Sequence, residues 1–403
     1  RPKGYGKFRP KKIGIIGAGL MGSGITYICA NEGLQVILKD ISRSVAEKGK
    51  FYSENKLKNR VKLGEITEQQ ATIVLNRITA TEKMADFTDC DLVIEAVFEN
   101  RLLKSKIIRD AELMVDKYCM MASNTAAIPI TELAKTAYRP ENFCGMRFFR
   151  PVDGELLVEI VKGAQTSDET IARAFDFIKM IHKVPIIVKD SWGFYVGRVR
   201  NTYILEGIAL LQEGYPPALI ENLGIQAGMR TGPLALADDL SLTMVVEYEQ
   251  QAAQLYGPKY VKHPAVTRLE EMLAEKRTGK QARMGFYEYD AQGNMLKLWH
   301  GKTEPAYRTD YDREALTERL LFAQALESVW CLQEKIVGSA AEANLGSIYG
   351  WKFPASKGGV LQYVNDYGLD PFIQKCSMYR KWYGQRFKVP TLLKTMLEKK
   401  EKF

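Results

Sequence analysis

Histidine is scarce in this chain: three occur among 403 residues, His182, His263 and His300. Chemistry that needs imidazole therefore has few places to come from. No stretch approaches the roughly eighteen consecutive apolar residues of a membrane span, and the basic N-terminal stretch has no apolar run behind it, so neither a spanning helix nor a secretory signal is read. The six cysteines (Cys29, Cys90, Cys119, Cys144, Cys331, Cys376) are scattered without paired spacing, which excludes the usual zinc and disulfide frameworks and leaves single thiols in a reducing compartment. No metal site is expected. A net charge of +9 suits an anionic ligand, and no nucleic-acid motif with interleaved aromatics accompanies it. An intracellular location follows, with cytoplasm, peroxisome and mitochondrion undistinguished; the ending Glu401-Lys402-Phe403 is not a peroxisomal Ser-Lys-Leu. What is present is 46% hydrophobic residues in a chain long enough for two or three domains.

Ile13–Asp40 reads as a nucleotide-binding unit. An apolar run (Ile13, Ile15, Ile16) leads into Gly17-Ala18-Gly19-Leu20-Met21-Gly22, a helical segment follows through Ala30, and a second strand ends at Asp40. Gly17 permits the tight turn, Gly19 lets a pyrophosphate approach the backbone, and Gly22 lets helix and strand pack closely. Asp40 can accept from a ribose 2'-hydroxyl and repels a 2'-phosphate, which favours NAD over NADP.

Five segments are expected. Residues 1–12 form a basic arm or linker, either a solvated tail or the remnant of an interdomain connection. Residues 13–190 alternate strand-like runs (92–97, 119–122, 144–149, 156–161, 184–188) with helical stretches, the pattern of an α/β Rossmann-type domain with a mainly parallel sheet. Helical periodicity dominates afterwards, in 191–290 and 313–403, with a Gly- and Lys-rich connection over 291–312. Leu205-Glu206 with Leu211-Gln212-Glu213 recurs as Leu326-Glu327 with Leu332-Gln333-Glu334, an offset of about 121 residues, so duplicated all-α bundles are expected.

Several local patterns occur in a fixed order: Asp91-Leu-Val-Ile-Glu-Ala-Val-Phe-Glu99, Ser123-Asn124-Thr125, Gly145-Met-Arg-Phe-Phe-Arg-Pro151, Leu157-Val-Glu159, Asp190-Ser-Trp-Gly-Phe194 and Gly285-Phe-Tyr287. With these, the chain resembles the L-3-hydroxyacyl-CoA dehydrogenase family from about Lys12 to about Pro390. It looks most like the dehydrogenase half of multifunctional beta-oxidation proteins, whose hydratase half lies N-terminal. The resemblance implies NAD as cofactor, an acyl-CoA thioester as substrate, and a hydratase in further sequence or a partner chain. No oligomeric state follows from it. It places Met21 beside the pyrophosphate turn, Val97, Glu99 and Lys104 near the nicotinamide half, Ser123 between cofactor and substrate, and Tyr349 near substrate. Plainer alternatives are a solvated charged face for Glu99 and Lys104, a helix cap for Ser123, and a core tyrosine at 349.

The chain departs from the family where proton transfer is done. The family histidine of His-Phe-Phe-Asn-Pro is Arg147 here, and guanidinium, with a pKa above about 12, takes no proton at neutral pH. Its carboxylate partner remains as Glu159, which would face Arg147 as an ion pair. The cofactor-side asparagine is Arg150, the asparagine near the substrate oxygen is Gly197, and the lysine expected four residues before Gly285 is Gln281 beside Lys280. Three readings result: a dehydrogenase slowed by loss of its general base, a non-catalytic NAD- or acyl-CoA-binding scaffold module, and a dehydrogenase whose arginines bind an acidic substrate.

Overall fold

The computed structural model describes residues 1–299 and 306–403, so His300 lies outside the described residues. The chain divides into two compact units, Arg1–Ser191 and Trp192–Phe403. The first alternates strands and helices: β1 (Lys12–Ile16), α1 (Leu20–Asn31), β2 (Gln35–Lys39), α2 (Arg43–Lys62), α3 (Glu68–Asn76), β3 (Ile78–Thr81), β4 (Leu92–Glu95), α4 (Arg101–Glu112), β5 (Met120–Ser123), α5 (Ile130–Ala134), β6 (Phe143–Phe148), β7 (Leu157–Lys162), α6 (Asp168–Met180) and β8 (Val184–Lys189). The sheet order is β3-β2-β1-β4-β5-β6-β7-β8. Only the β6–β7 pair within this sheet is antiparallel. Strand order reverses between β1 and β4, the place where such sheets accept a ligand.

The apolar runs become strands because they are buried on both faces: Ile13, Ile15, Val36, Leu38, Leu92 and Ile94 share one core with Ile25 and Ile28 of α1. Strand β4 stops at Glu95, two residues short of the run read from sequence, because the Glu95 carboxylate turns back onto the Val97 N–H. β3 was not anticipated; its Thr79 and Thr81 break the apolar pattern of the other strands.

Residues 1–11 are fastened to the first unit. Asp176 on α6 accepts from Arg1 Nε and Nη2 at 2.8 Å, from Lys7 Nζ at 3.2 Å and from Phe8 N at 3.0 Å. These donors outweigh the burial that opposes its charge and hold the Asp176 carboxyl down to about 2.

The second unit is helical: α7 (Val196–Gln212), α8 (Pro217–Gln226), α9 (Pro233–Leu240), α10 (Leu242–Tyr256), α11 (Ala265–Ala274), then a hairpin of β9 (Tyr287–Tyr289) and β10 (Met295–Leu298), then α12 (Arg313–Gln333), α13 (Ala340–Gly350), α14 (Val360–Tyr367), α15 (Leu369–Tyr383) and α16 (Thr391–Lys399). The segment 191–290, expected as all-α, thus ends in β9, and the segment expected as a plain connection contributes β10, because the two pair as a hairpin. Buried arginines tie α7 to α12 reciprocally. Arg198 of α7 pairs with Glu327 of α12 and, at 2.6 Å, with Glu334 at its C-terminal cap. Arg319 of α12 pairs with Glu206 of α7 at 2.5 Å and with Glu213 at the C-terminal cap of α7 at 2.6 Å. Glu206 has no solvent contact; burial opposes its charge, but His263, Arg319 and Arg386 hold its carboxyl well below the ordinary value of 4.5.

Arg319→Met leaves buried carboxylates short of a cation and is expected to cost about 3–5 kcal/mol in urea unfolding. Because the Glu206 pKa is depressed on folding, that deficit is full above about pH 5 and shrinks as pH falls below the unfolded value. Unfolding curves at pH 7 and pH 4 check both statements.

Candidate active site

At the β1–α1 turn the backbone itself makes a cradle. Gly17 has φ +103°, and a Cβ there would lie 2.8 Å from the carbonyl oxygen of Ala96, just beyond β4. A Cβ on Gly22 would lie 1.8 Å from the Gly17 oxygen. Both positions need glycine for the turn and the helix to approach. Around Gly19 a Cβ would meet nothing within 4 Å, so open space lies before the first turn of α1. That turn has no side-chain cap, and its N–H groups, with Met21 half-buried among them, suit a pyrophosphate. Asp40 accepts from Ala18 N at 2.6 Å and Ile41 N at 2.6 Å, so the residue assigned to the ribose also braces the glycine turn.

The ends of β4, β5 and β6 carry the second half of the site. Lys104 of α4 is fully buried; its Nζ donates to Glu95 Oε1 at 2.8 Å and to the Val97 carbonyl at 3.0 Å and lies 3.5 Å from Glu99. A solvated charged face is therefore wrong for Lys104. Glu99 Oε1 accepts from Thr125 Oγ1 and, at 2.9 Å each, from Ala126 N and Ala127 N, so it shapes the turn after β5. Ser123 ends β5, is fully buried, and gives its proton to Glu95 Oε2 at 2.7 Å; it caps no helix. Asn124 Oδ1 accepts from Phe148 N at 2.9 Å, linking β5 to the end of β6.

Arg147 and Glu159 are directly opposite in the antiparallel β6–β7 register. Arg147 Nη1 lies 3.3 Å from Glu159 Oε2, with the pair 4% and 0% exposed, and the guanidinium sits 5.1 Å from the centroid of the Phe149 ring. The ion pair anticipated from sequence is present. Arg150 is exposed and precedes a cis Pro151. The loop beyond is anchored: Lys183 Nζ donates to the carbonyls of Val152 and Glu155, both at 2.6 Å, Lys56 Nζ lies 2.7 Å from Asp153, and Val152 fills the space beside Gly24.

Within the first unit no histidine lies beside Glu159. His182 has a side chain 78% exposed and pairs with Glu32, while His263 belongs to the second unit, 3.7 Å from Glu206. Gly197 and Tyr349 also belong to the second unit. Gly197 is buried in the first turn of α7, and Tyr349 is half-buried on α13, its carbonyl accepting from Lys352 Nζ at 3.1 Å. Lys280 and Gln281 form a short turn in which Lys280 Nζ lies 3.2 Å from Asp239. Asp238 accepts from Phe286 N and Tyr287 N at 2.8 Å, in the space a Gly285 Cβ would need.

Sequence reasoning passed over Glu95, Asn124 and Lys183. Glu95 had a signal: a carboxylate inside the apolar run Leu92-Val-Ile-Glu-Ala-Val97, where a core strand otherwise excludes charge. Lys183 had none, since its partners are backbone carbonyls.

Residues 12–191 match the family profile of the 3-hydroxyacyl-CoA dehydrogenase NAD binding domain, and residues 193–289 match the C-terminal domain of the same family. The chain is 33% identical over 398 residues to the fatty acid oxidation complex subunit alpha of Psychrobacter cryohalolentis, a match spanning 96% of this chain and 55% of that protein. It thus covers little more than half the length of such relatives. It is 36% identical to the (S)-3-hydroxybutyryl-CoA dehydrogenase of Ralstonia eutropha over 70% of this chain and all of that one, with a TM-score of 0.66. A 3-hydroxybutyryl-CoA dehydrogenase of Escherichia coli shares the fold, with a TM-score of 0.83 at 21% identity over 98% of this chain and 100% of that one.

Arg147→Met places a thioether opposite buried Glu159 and is expected to lower stability by about 3 kcal/mol. Adding Glu159→Leu should restore part of that loss, because the buried carboxylate left without its cation is then removed. Urea midpoints of the single and double variants read this directly.

Proposed function

The chain belongs to the 3-hydroxyacyl-CoA dehydrogenase family and its first unit is an NAD binding domain; from that premise we propose that it binds NAD and a 3-hydroxyacyl-CoA thioester but transfers hydride poorly. The observation that carries this reading is the buried Arg147–Glu159 pair. Oxidising the 3-hydroxyl requires a group that takes the alcohol proton as the C3 hydride leaves for the bound nicotinamide. Arg147 holds its proton at any working pH, and Glu159 is neutralised against it. Loss of such assistance costs about 10²–10⁴-fold in rate. The adenosine and pyrophosphate side is better kept: the glycine cradle, the uncapped first turn of α1 and Asp40 all fit a dinucleotide diphosphate and its ribose.

The acidic-substrate reading loses ground because Arg147 is already engaged by Glu159, leaving Arg150 alone on the surface. By its likeness to fatty acid oxidation subunits, the chain is a dehydrogenase-derived segment of a larger beta-oxidation assembly in which other sequence or a partner chain supplies the hydratase. Six free, buried thiols suit a reducing compartment, and no described helix is long and apolar enough to cross a membrane.

Duplication of the helical part is supported by charge placement. Arg198, Glu206 and Glu213 recur as Arg319, Glu327 and Glu334 at one constant offset, and each arginine pairs with the glutamates of the other copy. Such reciprocity is the mark of a two-fold related interface.

With 3-hydroxybutyryl-CoA and NAD, the chain is expected to bind both and to form NADH at least about 100-fold more slowly than a variant carrying Arg147→His, Arg150→Asn and Gly197→Asn. Fast turnover by the unaltered chain that Arg147→Ala abolishes would overturn the reading. Asp40→Ala should weaken NAD about tenfold in calorimetric titration, consistent with loss of ribose hydrogen bonds and of the brace on Ala18.

A further inference from the structure

We propose that Glu95 is a positioning residue that fixes the hydrogen-bond polarity of Ser123, so that Ser123 receives a donor from its ligand and offers none. This rests on the reading that NAD and a hydroxyacyl thioester occupy the first unit's site. Glu95 is fully buried at the end of β4, and every oxygen it has is committed. Oε1 accepts from Val97 N at 2.7 Å and Lys104 Nζ at 2.8 Å, and Oε2 accepts from Ser123 Oγ at 2.7 Å.

An ionised carboxylate only accepts, so the single proton of the serine hydroxyl must point at Glu95. The two lone pairs of Ser123 Oγ then face away from it. Ser123 has no solvent exposure, and among the described residues no group donates to its oxygen. Its hydroxyl is satisfied as a donor and keeps its accepting capacity for a donor that a ligand brings. In ligand chemistry the matching groups are an alcohol O–H and a carboxamide N–H₂. A ketone oxygen, which only accepts, gains no hydrogen bond from Ser123.

The same carboxylate also orients the Lys104 ammonium and the Val97 N–H, two groups on the nicotinamide side. Glu95 therefore couples the cofactor half of the site to the substrate half with one side chain. Glu95→Gln keeps the shape but changes the polarity. The amide oxygen can still accept from Lys104 and Val97, while its N–H₂ donates to Ser123, whose own proton is released towards the ligand.

Calorimetric titration of the full chain tests this with four probes: ADP-ribose, NAD, and, in saturating NAD, 3-hydroxybutyryl-CoA and acetoacetyl-CoA. ADP-ribose lacks the nicotinamide and reports the glycine turn and Asp40 alone. Glu95→Gln is expected to leave ADP-ribose within about twofold while shifting one preference by about tenfold. If the donor is the nicotinamide carboxamide, the advantage of NAD over ADP-ribose falls. If it is the substrate alcohol, the advantage of the hydroxy thioester over the keto thioester falls. Ser123→Ala, which leaves Lys104 paired, must abolish the same preference. Should Glu95→Gln fail to fold, the pair Glu95→Gln with Lys104→Met removes the unbalanced ammonium and carries the same test.

Equal weakening of all four probes would make Glu95 structural only and overturn the inference, as would unchanged preferences in both variants. Failure of the unaltered chain to bind ADP-ribose and NAD would instead sink the dinucleotide reading, and the inference with it.

Discussion

A carboxylate withdrawn from water must be met by donors, and this molecule is organised around that demand. Isolated burial of such a charge is prohibitive, so each buried acid dictates what its neighbours can be. Glu159 requires a cation or strong donor across the β6–β7 ladder, and Arg147 supplies it. Glu95 collects an ammonium, an amide and a hydroxyl. Asp190 collects Ile130 N and Thr131 N at the start of α5. Compensation so complete gives a rigid scaffold, and it also decides which protons are free to move.

That last point separates binding from chemistry. A histidine opposite Glu159 would satisfy the buried acid and still exchange a proton near neutrality. Arginine satisfies it at least as well and exchanges nothing. The β6–β7 ladder asks only that buried Glu159 meet a donor, and Arg147 meets that need whether or not the donor can release a proton. The glycine turn, with its different requirements of space and backbone amides, is untouched by the change.

Legibility from sequence followed the range of the interactions. The β1–α1–β2 unit is local, and its glycines, helix and Asp40 stand where the spacing placed them. The Arg147–Glu159 pair was foreseen through the family resemblance, and the antiparallel β6–β7 register sets the two directly opposite. Ser123 and Lys104 were legible as positions but not as a network, since Glu95 joins them only once β4, β5 and α4 have packed. β3 and β10 were hidden for a compositional reason: threonine, lysine and exposed apolar residues at these edges do not read as core strands. The repeat in the helical part was visible as matched leucines and glutamates, but the arginines that explain the glutamates were not, because each finds its partners more than a hundred residues away.

The reciprocal pairing of α7 and α12 bears on how the chain is made. While α7 leaves the ribosome, its Arg198 and Glu206 have none of their α12 partners, and the last cation to reach Glu206, Arg386, is synthesised 180 residues after it. The first unit has all its strands by Lys189 and can fold as it emerges. The second unit cannot close its α7–α12 ion pairs until its later half has been made, so the order of synthesis delays its most buried charges more than any contact of the first unit's β1–α1–β2 turn.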